Sequence, residues 1–286
     1  MKDSYKSTIE RAKIICEALP YIHKYTGKTI VIKYGGNAMG DDKITETILQ
    51  DVAALKIVGV NPILVHGGGP EINKMLGRLG IEAQFKNGLR VTDAATMEVA
   101  QMILCGKINK NIVGKLNTIG VKAIGLCGKD SQLIKAETLD GDLGYVGKIT
   151  EINGKLLEIL AEDEFVPVIA SIATDDEGNS YNVNADTAAA KIAVAVGAEK
   201  LILLTDVRGL LRDRSDESTL ISQVRLPEVP ELVGQGIITG GMIPKVACCV
   251  DAVENGVRRT HILDGRIPHS ILIEVLSHAG IGTMIW

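Results

Sequence analysis

The sequence predicts an α/β fold, namely a three-layer, open and mostly parallel sheet with helices on both faces. Hydrophobic residues make up 46% of the 286 positions and aromatic residues only 3%, which suits layered α/β packing better than an aromatic-rich β-sandwich. Short segments of almost continuous apolar residues alternate with segments of helical periodicity. Strands that are apolar on both sides are typical of a parallel sheet covered on both faces.

The first predicted element is an amphipathic helix over residues 4–25. Its apolar positions recur at helical spacing and include Tyr5, Ile9, Ala12, Cys16 and Leu19. We expect Pro20 and Gly27 to interrupt or end this helix. It precedes the first predicted strand, so it is an appendage that packs either on its own subunit or on another.

Strands and helices then alternate along the chain. The predicted strands are residues 29–34, 62–66, 121–127, 165–170, 200–205 and 260–264. The predicted helices lie around residues 44–58 and 72–79, twice within residues 92–119, at residues 184–196 and from about residue 244. Residues 133–152 are rich in Gly and Asp between short β-type segments and indicate hairpins over one end of the sheet. Since no linker or repeat is visible, we expect two lobes of one continuous sheet.

Charge and cysteine usage exclude several classes of function. The chain has 31 Lys and Arg against 35 Asp and Glu, without a long basic block, which argues against nucleic-acid binding. No apolar stretch approaches the roughly 20 residues that span a bilayer, and the first residues lack the apolar core of a signal peptide. The five cysteines form no CxxC pair. We therefore expect a cytoplasmic protein with buried, inert thiols and no membrane partner.

Two glycine clusters follow successive predicted strands. Residues 33–37 read Lys-Tyr-Gly-Gly-Asn, and residues 66–70 read His-Gly-Gly-Gly-Pro at the start of a predicted helix. Ligands of open α/β sheets bind beyond the carboxyl ends of the strands, where glycines let backbone N–H groups approach phosphate oxygens. Glycines in such loops can also serve only as tight turns. Two clusters on successive strands, with Lys33 entering the first, favour a phosphate site.

The common nucleotide fingerprints are absent from the sequence. There is no GxxxxGK[ST], no GxGxxG between a strand and a helix, and no protein kinase signature. Residues 125–130 resemble a P-loop only loosely, and the glycines of residues 234–236 lie far from any strand end. The chain is therefore neither a P-loop enzyme nor a typical dinucleotide-binding protein.

The second half of the chain adds polar groups at corresponding places. Asn182, Asn184 and Asp186 alternate before an Ala-rich helix, which is more than capping alone requires, although one of them could be a cap. Residues 204–207 end a buried strand at the same edge. Residues 240–245, Gly-Gly-Met-Ile-Pro-Lys, place a lysine at a glycine-rich helix start, where a phosphate role is plausible.

Together these segments resemble the amino acid kinase family over about residues 28–286. Within it, residues 66–70, 87–92, 182–186 and 240–245 are similar to members that phosphorylate N-acetyl-L-glutamate. The resemblance implies transfer of the ATP γ-phosphoryl group to the side-chain carboxylate of N-acetyl-L-glutamate, the second step of the acetylated route to arginine. A carboxylate is already an anionic nucleophile, so the reaction needs charge neutralisation and in-line positioning more than a general base.

The resemblance also implies roles for individual residues. Lys33 and Lys245 would stabilise the transferring phosphoryl group, and Asp186 would hold both lysines. The expected acceptor-binding residues are Gly68, Gly69, Arg90, Asn182 and Asn184. The expected nucleotide-binding residues are Gly35, Gly36, Thr205, Asp206, Gly209, Leu211, Gly240 and Met242. Mg²⁺ would be carried mainly by the ATP oxygens, without a metal cluster on the protein.

The resemblance further implies a division of labour along the chain. Residues 28–180 would bind the acylated amino acid, residues 181–286 would bind ATP, and residues 1–27 would serve oligomerisation and regulation. The first helix resembles the extension that interlaces dimers into a hexamer, a trimer of dimers, in arginine-sensitive members. L-arginine would then bind near this helix, with candidate positions Lys200, His269, Glu274 and Gly280.

Other readings remain open at this point. One is a sibling kinase with a different acceptor, such as an acylated aminoadipate or carbamate. An acylated amino acid has an α-carboxylate that Arg90 could bind, whereas carbamate has none, so Arg90 argues against carbamate. A nicotinamide-dependent oxidoreductase lacks its fingerprint, and a non-catalytic sensor would not need both lysines. Residues 211–215, Leu-Arg-Asp-Arg-Ser, depart from the shorter and less basic loop of the family and leave the details of the nucleotide loop undefined.

Overall fold

The computed structural model describes residues 2–36, 39, 41–139, 141–278 and 280–286, with the backbone alone for residues 2–7. Asn37, the last residue of the first glycine cluster, and Met1 of the expected regulatory segment 1–27 lie outside the described residues. No helix within these ranges is long and apolar enough to cross a membrane.

Helices and strands alternate along most of the described chain. The α-helices are α1 (Lys2–Tyr25), α2 (Asp42–Ile57), α3 (Gly69–Arg78), α4 (Ala94–Gln101), α5 (Asn109–Ile119), α6 (Gly154–Glu162), α7 (Ala185–Ala195), α8 (Val229–Gly234), α9 (Met242–Glu254) and α10 (Ser270–Leu276). The strands are β1 (Thr29–Tyr34), β2 (Asn61–His66), β3 (Phe85–Lys86), β4 (Leu89–Arg90), β5 (Ala123–Cys127), β6 (Ile134–Thr138), β7 (Gly147–Ile152), β8 (Val166–Ala170), β9 (Ile172–Thr174), β10 (Ser180–Asn182), β11 (Lys200–Thr205), β12 (Gln223–Val224), β13 (Arg259–Asp264) and β14 (Thr283–Ile285).

The main sheet confirms the predicted fold class. Its eight strands are ordered β12-β14-β13-β11-β1-β2-β8-β5, and all neighbouring pairs are parallel except β13 with β14. A four-stranded sheet ordered β10-β9-β6-β7 contains the predicted hairpin region, and β3 pairs with β4 in a separate hairpin. β1 lies between β2 on one side and β11 on the other, so the chain order reverses at β1. In open α/β sheets a ligand crevice lies at such a reversal.

Burial on both faces explains why the strands are so apolar. Successive side chains of β1 point to opposite faces. Ile30 and Ile32 join the hydrophobic core on the α2 and α5 side, while Val31 joins the core on the α7 and α9 side. Fully burying such a side chain contributes about 1.5–3 kcal/mol. The pattern therefore places the sheet between two helical layers, with the end of β1 at their shared edge.

Four details differ from the sequence-based expectations. Pro20 lies inside α1, which runs on to Tyr25, just before Gly27 with its positive φ of 74°. The two helices expected within residues 92–119 form one helical run, because a π-helix (Met102–Ile108) joins α4 to α5. The strand expected from residue 121 begins at Ala123.

The fourth difference concerns the thiols. All five cysteines are free, but only Cys249 is buried, while Cys105, Cys127 and Cys248 are half-buried. Cys16 is exposed on α1. The expectation of uniformly buried thiols was therefore wrong, because Cys16 lies on an exposed helix, Cys105 and Cys248 lie on partly exposed helix faces, and Cys127 ends a strand.

Candidate active site

Three charged side chains form an ion-pair chain at the edge of the main sheet. Lys33 comes from the carboxyl end of β1, Asp186 from the first turn of α7 and Lys245 from the first turn of α9. Lys33 Nζ lies 2.9 Å from Asp186 Oδ1, and Lys245 Nζ lies 2.6 Å from Asp186 Oδ2. Burial alone would raise the pKa of Asp186, but the two ammonium groups outweigh it and hold this pKa below its usual value. Asp186 thus stays ionised and fixes both lysines.

The ion-pair chain joins two cavities. The first, here called the glycine-lined cavity, has a volume of about 250 Å³ and is lined by Lys33 and Asp186 together with residues of both glycine clusters. The second, here called the β11 cavity, has a volume of about 330 Å³ and lies beyond the end of β11 with Lys245 in its wall. Cationic groups therefore stand where ligands of the two cavities would meet.

The wall of the glycine-lined cavity is built from backbone. Gly68 is the N-cap of α3 and Gly69 its first residue, and neither has a side chain that could cap the helix. The first N–H groups of a helix have no intrahelical acceptor and carry the positive end of its dipole. Gly35 and Gly36, expected on the nucleotide side, line this same cavity beside Lys33. The cavity can therefore hold an anionic group against free N–H donors.

Arg90 supplies a buried positive charge to this cavity. Its Nη2 donates to Gly69 O at 3.2 Å, and its guanidinium carbon lies 4.8 Å from the centre of the Phe85 ring. Burial lowers the pKa of Arg90, and Nη1 is buried without a hydrogen-bond partner among the described residues. A buried cation without a carboxylate is costly. The geometry therefore suits a ligand that brings its own carboxylate.

The two asparagines of the cavity behave differently. Asn182 Nδ2 donates to Thr92 Oγ1 at 3.2 Å, which ties the end of β10 to the second residue after β4. Asn184 is the N-cap of α7, since its Oδ1 accepts from the N–H groups of Asp186 at 2.9 Å and Thr187 at 3.1 Å. Both line the cavity. Asn184 thus has the capping role that was allowed for one of the three polar residues, and it keeps its amide group at the cavity wall.

The β11 cavity collects most of the expected nucleotide-binding residues. Those in its lining are Thr205, Asp206, Gly209, Leu211 and Met242. Gly240 does not line the cavity. It lies in the turn before α9, with a positive φ of 55°. Gly209 needs to be glycine, because its φ is 144° and a Cβ there would lie 2.5 Å from Thr283 Oγ1.

One charged residue of the β11 cavity was not expected. Arg214, from the loop that departs from the family pattern, lines it and donates to Thr239 Oγ1. Its only signal in the sequence was the unusual basic character of that loop. Apolar residues at the other side, Leu210, Ile237 and Met242, suit a flat base, while Lys245 and the start of α9 suit phosphates. Within the described ranges, no group of three or more His, Cys, Asp or Glu residues could hold a metal ion.

The four candidate regulatory residues separate into two places. Lys200, Glu274 and Gly280 line a third cavity, here called the α1–α10 cavity, to which α1 contributes Tyr21 and Lys24. His269 lies outside its lining, where its Nδ1 contacts Asp51 Oδ1 at 2.6 Å. The structure thus brings three of the four together.

A different histidine, His261, occupies the α1–α10 cavity. Lys200 Nζ donates to its Nε2 at 3.0 Å, and its Nδ1 lies 2.9 Å from Glu274 Oε1. Burial lowers the pKa of Lys200 to about 8 and also lowers the pKa of His261. His261 was missed because it lies within an apolar strand, where a histidine looks like an ordinary core residue.

Relatives of known name match nearly the whole chain. The model of the amino acid kinase family matches residues 28–264. A protein of Thermoanaerobacter pseudethanolicus named acetylglutamate kinase is 56% identical over 286 residues, covering 99% of this chain and 96% of that protein. A protein of Caldicellulosiruptor saccharolyticus with the same name is 56% identical over 292 residues, covering 100% of this chain and 99% of that protein.

A solved structure shares the fold over almost the same length. The N-acetylglutamate synthase of Neisseria gonorrhoeae, in complex with coenzyme A and N-acetyl-glutamate, superposes with a TM-score of 0.84 at 26% identity. The match covers 96% of this chain, whereas the chain spans 63% of that synthase. The fold of almost the whole chain is therefore common to the two proteins.

Proposed function

The chain belongs to the amino acid kinase family, and on that premise we infer that it transfers the γ-phosphoryl group of ATP to the side-chain carboxylate of N-acetyl-L-glutamate. Relatives named acetylglutamate kinase, 56% identical over essentially their whole length, support this reaction. The observation in the molecule that carries it is the ion-pair chain of Lys33, Asp186 and Lys245, which joins the two cavities. We place the reaction in arginine biosynthesis.

The ion-pair chain fits the needs of phosphoryl transfer between two anions. The γ-phosphoryl group and the attacking carboxylate repel each other, and charge on the transferring group must be neutralised. Lys33 from the glycine-lined cavity and Lys245 from the β11 cavity would contact the transferring group from opposite sides. Asp186 holds both ammonium groups in place before the substrates arrive, so little reorganisation is needed during the reaction.

The glycine-lined cavity fits an acylated amino acid. We propose that the unpaired Nη1 of Arg90 binds the α-carboxylate, helped by Asn182, while the amide of Asn184 contacts the acetamido group. The N–H groups of Gly68 and Gly69 would then face the reacting carboxylate. Carbamate has no α-carboxylate and would leave the Arg90 charge buried and unpaired, which favours the amino-acid acceptor.

The β11 cavity fits ATP. We propose that its apolar wall holds the adenine ring and that Lys245 with the amino end of α9 holds the phosphates. Mg²⁺ would travel with the nucleotide, bound mainly to its β- and γ-oxygens. An enzyme of amino-acid biosynthesis whose five cysteines are all unpaired also fits the reducing cytoplasm, where we expect it to act.

The reaction can be tested by trapping its product. An acyl phosphate reacts with hydroxylamine to give a coloured hydroxamate, so the purified chain is incubated with ATP, Mg²⁺, hydroxylamine and a panel of acceptors. We expect colour with N-acetyl-L-glutamate and little with N-acetyl-L-aspartate, acylated aminoadipate or unacylated glutamate. Carbamate is assayed instead by ADP release, because its product is not an acyl phosphate of this kind. A stronger signal with another acceptor would replace the proposed substrate.

We also propose that L-arginine inhibits the enzyme by binding in the α1–α10 cavity. Glu274 there offers a carboxylate to a guanidinium group, and Lys200 offers an ammonium group to a carboxylate. The cavity wall includes Tyr21 and Lys24 of α1, so a bound ligand would contact that helix directly.

The exposed face of α1 supports an oligomer. Ile9, Ile14, Ile15 and Leu19 are each more than half exposed, which leaves an apolar stripe without a partner within the described part of this chain. We propose that the stripe packs on α1 of another subunit and links dimers into a hexamer.

A further inference from the structure

A buried histidine lies directly behind residues 67–69, here called the glycine turn, which connect β2 to α3 at the candidate active site. His66, the last residue of β2, is fully buried. Its Nδ1 lies 3.0 Å from Gly67 O, and its Nε2 lies 3.1 Å from Asn109 Nδ2. The proposed reaction assigns no role to this imidazole, although the next residues, Gly67 to Gly69, line the glycine-lined cavity.

The hydrogen bonds define the tautomer of the ring. Val168 O can only accept, so the atom of Asn109 that lies 2.9 Å from it is the amide nitrogen Nδ2. The same nitrogen has a second hydrogen, which faces His66 Nε2 at 3.1 Å and the more distant Leu126 O at 3.4 Å. An amide nitrogen cannot accept, so Nε2 is the acceptor in this contact. Nδ1 therefore carries the proton of the neutral ring and donates to Gly67 O. Burial lowers the pKa of His66 to about 4, so the ring is neutral at pH 7.

This bond determines which way the next peptide group faces. The Gly67–Gly68 peptide is trans, so its C=O and N–H point in opposite directions. With Gly67 O held by the His66 ring, the Gly68 N–H points away from the ring. The flanking groups are held as well, since Gly67 N donates to Tyr34 O at 3.2 Å and Gly68 O accepts from Ile72 N at 3.0 Å.

The π-helix holds the same turn from another side. A Cβ on Gly68 would lie 2.2 Å from Ile108 Cδ1 and 2.7 Å from Leu104 Cδ2, so the turn rests directly on these two side chains. Asn109 is the residue that follows the π-helix. The π-helix thus delivers both the packing under Gly68 and the amide that sets the His66 tautomer.

We propose that His66 is a positioning residue, whose Nδ1–H holds the Gly67 carbonyl back so that the Gly68 N–H is presented to the transferring phosphoryl group and the attacking carboxylate. The inference rests on the proposed phosphoryl transfer. If this peptide turned over, the Gly67 oxygen would face two anions in place of an N–H donor. Because both reacting groups are negative, such an orientation would oppose the reaction.

Two matched variants separate positioning from simple packing. In His66→Asn the amide nitrogen can take the place of Nδ1 and keep a donor for Gly67 O, whereas His66→Gln reaches only the place of Nε2 and loses that donor. In His66→Gln it is the amide oxygen that would replace Nε2 as the acceptor for Asn109 Nδ2, which leaves no donor for Gly67 O. We therefore expect His66→Gln to lower kcat about 10²-fold, with a smaller change in either KM. We expect His66→Asn to keep most of the wild-type kcat.

Thermal unfolding is measured alongside, because both substitutions disturb a buried site. A role in packing alone predicts that kcat follows Tm in the two variants. Equal kcat values for His66→Asn and His66→Gln would overturn the proposal. Absence of hydroxamate formation by the wild-type chain would instead overturn the proposed function, so the two failures are distinguishable.

A measurement on the wild-type protein does not depend on the folding of any variant. Long-range ¹H–¹⁵N spectra of protein labelled with ¹⁵N-histidine distinguish the two neutral tautomers and the imidazolium. We expect the His66 ring to be neutral and protonated at Nδ1 at pH 7. An Nε2–H tautomer or an imidazolium at this position would leave no reason for the Gly67 carbonyl to be held there and would overturn the inference.

Discussion

At the scale of single residues, the three cations of the active site are held in different ways. Lys33 and Lys245 are each bound to Asp186, whereas Arg90 keeps one buried nitrogen without a partner among the described residues. On the proposed function, the two lysines are positioned before substrates bind, and Arg90 gains its second partner from the acceptor. This difference predicts that their substitutions will affect different kinetic constants.

Replacing either lysine should mainly slow the chemical step. Lys33→Ala and Lys245→Ala remove charges that meet the charge developing in the transition state, so we expect kcat to fall about 10²–10³-fold with a smaller rise in KM. The control is Lys191→Ala, since Lys191 pairs with Asp251 at 2.9 Å between the same two helices, α7 and α9. Steady-state kinetics measure both effects. Near-normal kcat in Lys33→Ala or Lys245→Ala would contradict its assigned role.

Arg90→Lys should weaken acceptor binding. Lysine keeps the charge but loses the planar fork that can contact Gly69 O and a carboxylate at once. We expect the KM for the acceptor to rise at least tenfold, which corresponds to the loss of about one charged hydrogen bond, while the KM for ATP stays nearly constant. Steady-state kinetics with each substrate varied in turn would measure this. A rise in the KM for ATP alone would instead mean that Arg90 contacts the nucleotide.

The buried His66 should make folding stability depend on pH. Its pKa is about 4 in the folded chain and about 6.5 in the unfolded chain, so the unfolded state binds more protons between these values. This group therefore lowers stability as the pH falls from about 6.5 to about 4, by at most about 1.4 kcal/mol per pH unit. Urea unfolding of wild type and His66→Asn at fixed protein concentration isolates the contribution. Equal slopes against pH would mean that His66 is not buried in its neutral form.

At the scale of elements, the π-helix and α3 meet at the glycine turn. Gly68 has an extended φ of 171°, which any residue can adopt, so the requirement for glycine comes from contact and not from backbone strain. The contacts are the ends of Leu104 and Ile108. The lengthened turn of the π-helix therefore brings apolar side chains against the backbone that we propose to bind the anionic groups.

Gly68→Ala should therefore displace the turn and lower activity. The added Cβ overlaps Ile108 Cδ1, so we expect kcat to fall at least tenfold, since small misplacements near the chemistry cost up to about 10²-fold. Adding Ile108→Val removes that Cδ1 atom and should restore part of the loss. Gly77→Ala is the matched control, because Gly77 lies in α3 with open space around its Cβ position. Unchanged kcat in Gly68→Ala would show that the turn tolerates displacement.

At the scale of the whole molecule, the active site spans the two predicted lobes. Lys33 lies within residues 28–180, while Asp186 and Lys245 lie within residues 181–286. β1 and β11 are neighbours in one continuous sheet, so the lobes share their central strands. The α1–α10 cavity lies between α1 and residues of the second lobe. A ligand there could favour one arrangement of subunits or lobes only by binding it more tightly than another.

Shortening α1 should test the proposed oligomer and its regulation. Tyr25 is buried in the core and lies beneath Lys200, so the deletion should stop at residue 19. We expect light scattering to show dimers in place of hexamers, and an arginine titration to show weaker inhibition, with catalysis largely kept.

Ile14→Glu in the full-length chain is the companion to this deletion, because it changes the exposed stripe and keeps the helix. We expect it to reduce the hexamer as well. An intact hexamer after the deletion would remove the interlacing proposal. Undiminished inhibition of a dimeric truncate would show that arginine acts without the ring.

Local patterns in the sequence determined the fold class, the family and most of the site. Apolar strands, helical periodicity and glycines after strand ends depend on neighbouring residues, so they can be read from the chain alone. Parallel strands bring their carboxyl ends to one edge, which is why Lys33 and residues 66–70 were expected together. The family model and the relatives confirm the family, and the site residues stay a prediction.

Only the tertiary structure decided the contacts between residues far apart in sequence. His269 contacts Asp51, 218 positions away. His261, and not the expected His269, lies beside Lys200. Likewise, neither the π-helix nor the bond from Asn109 to His66 leaves a local signal. The physical reason is that a buried polar side chain takes the partner that packing brings within about 3 Å, and that partner depends on the whole chain.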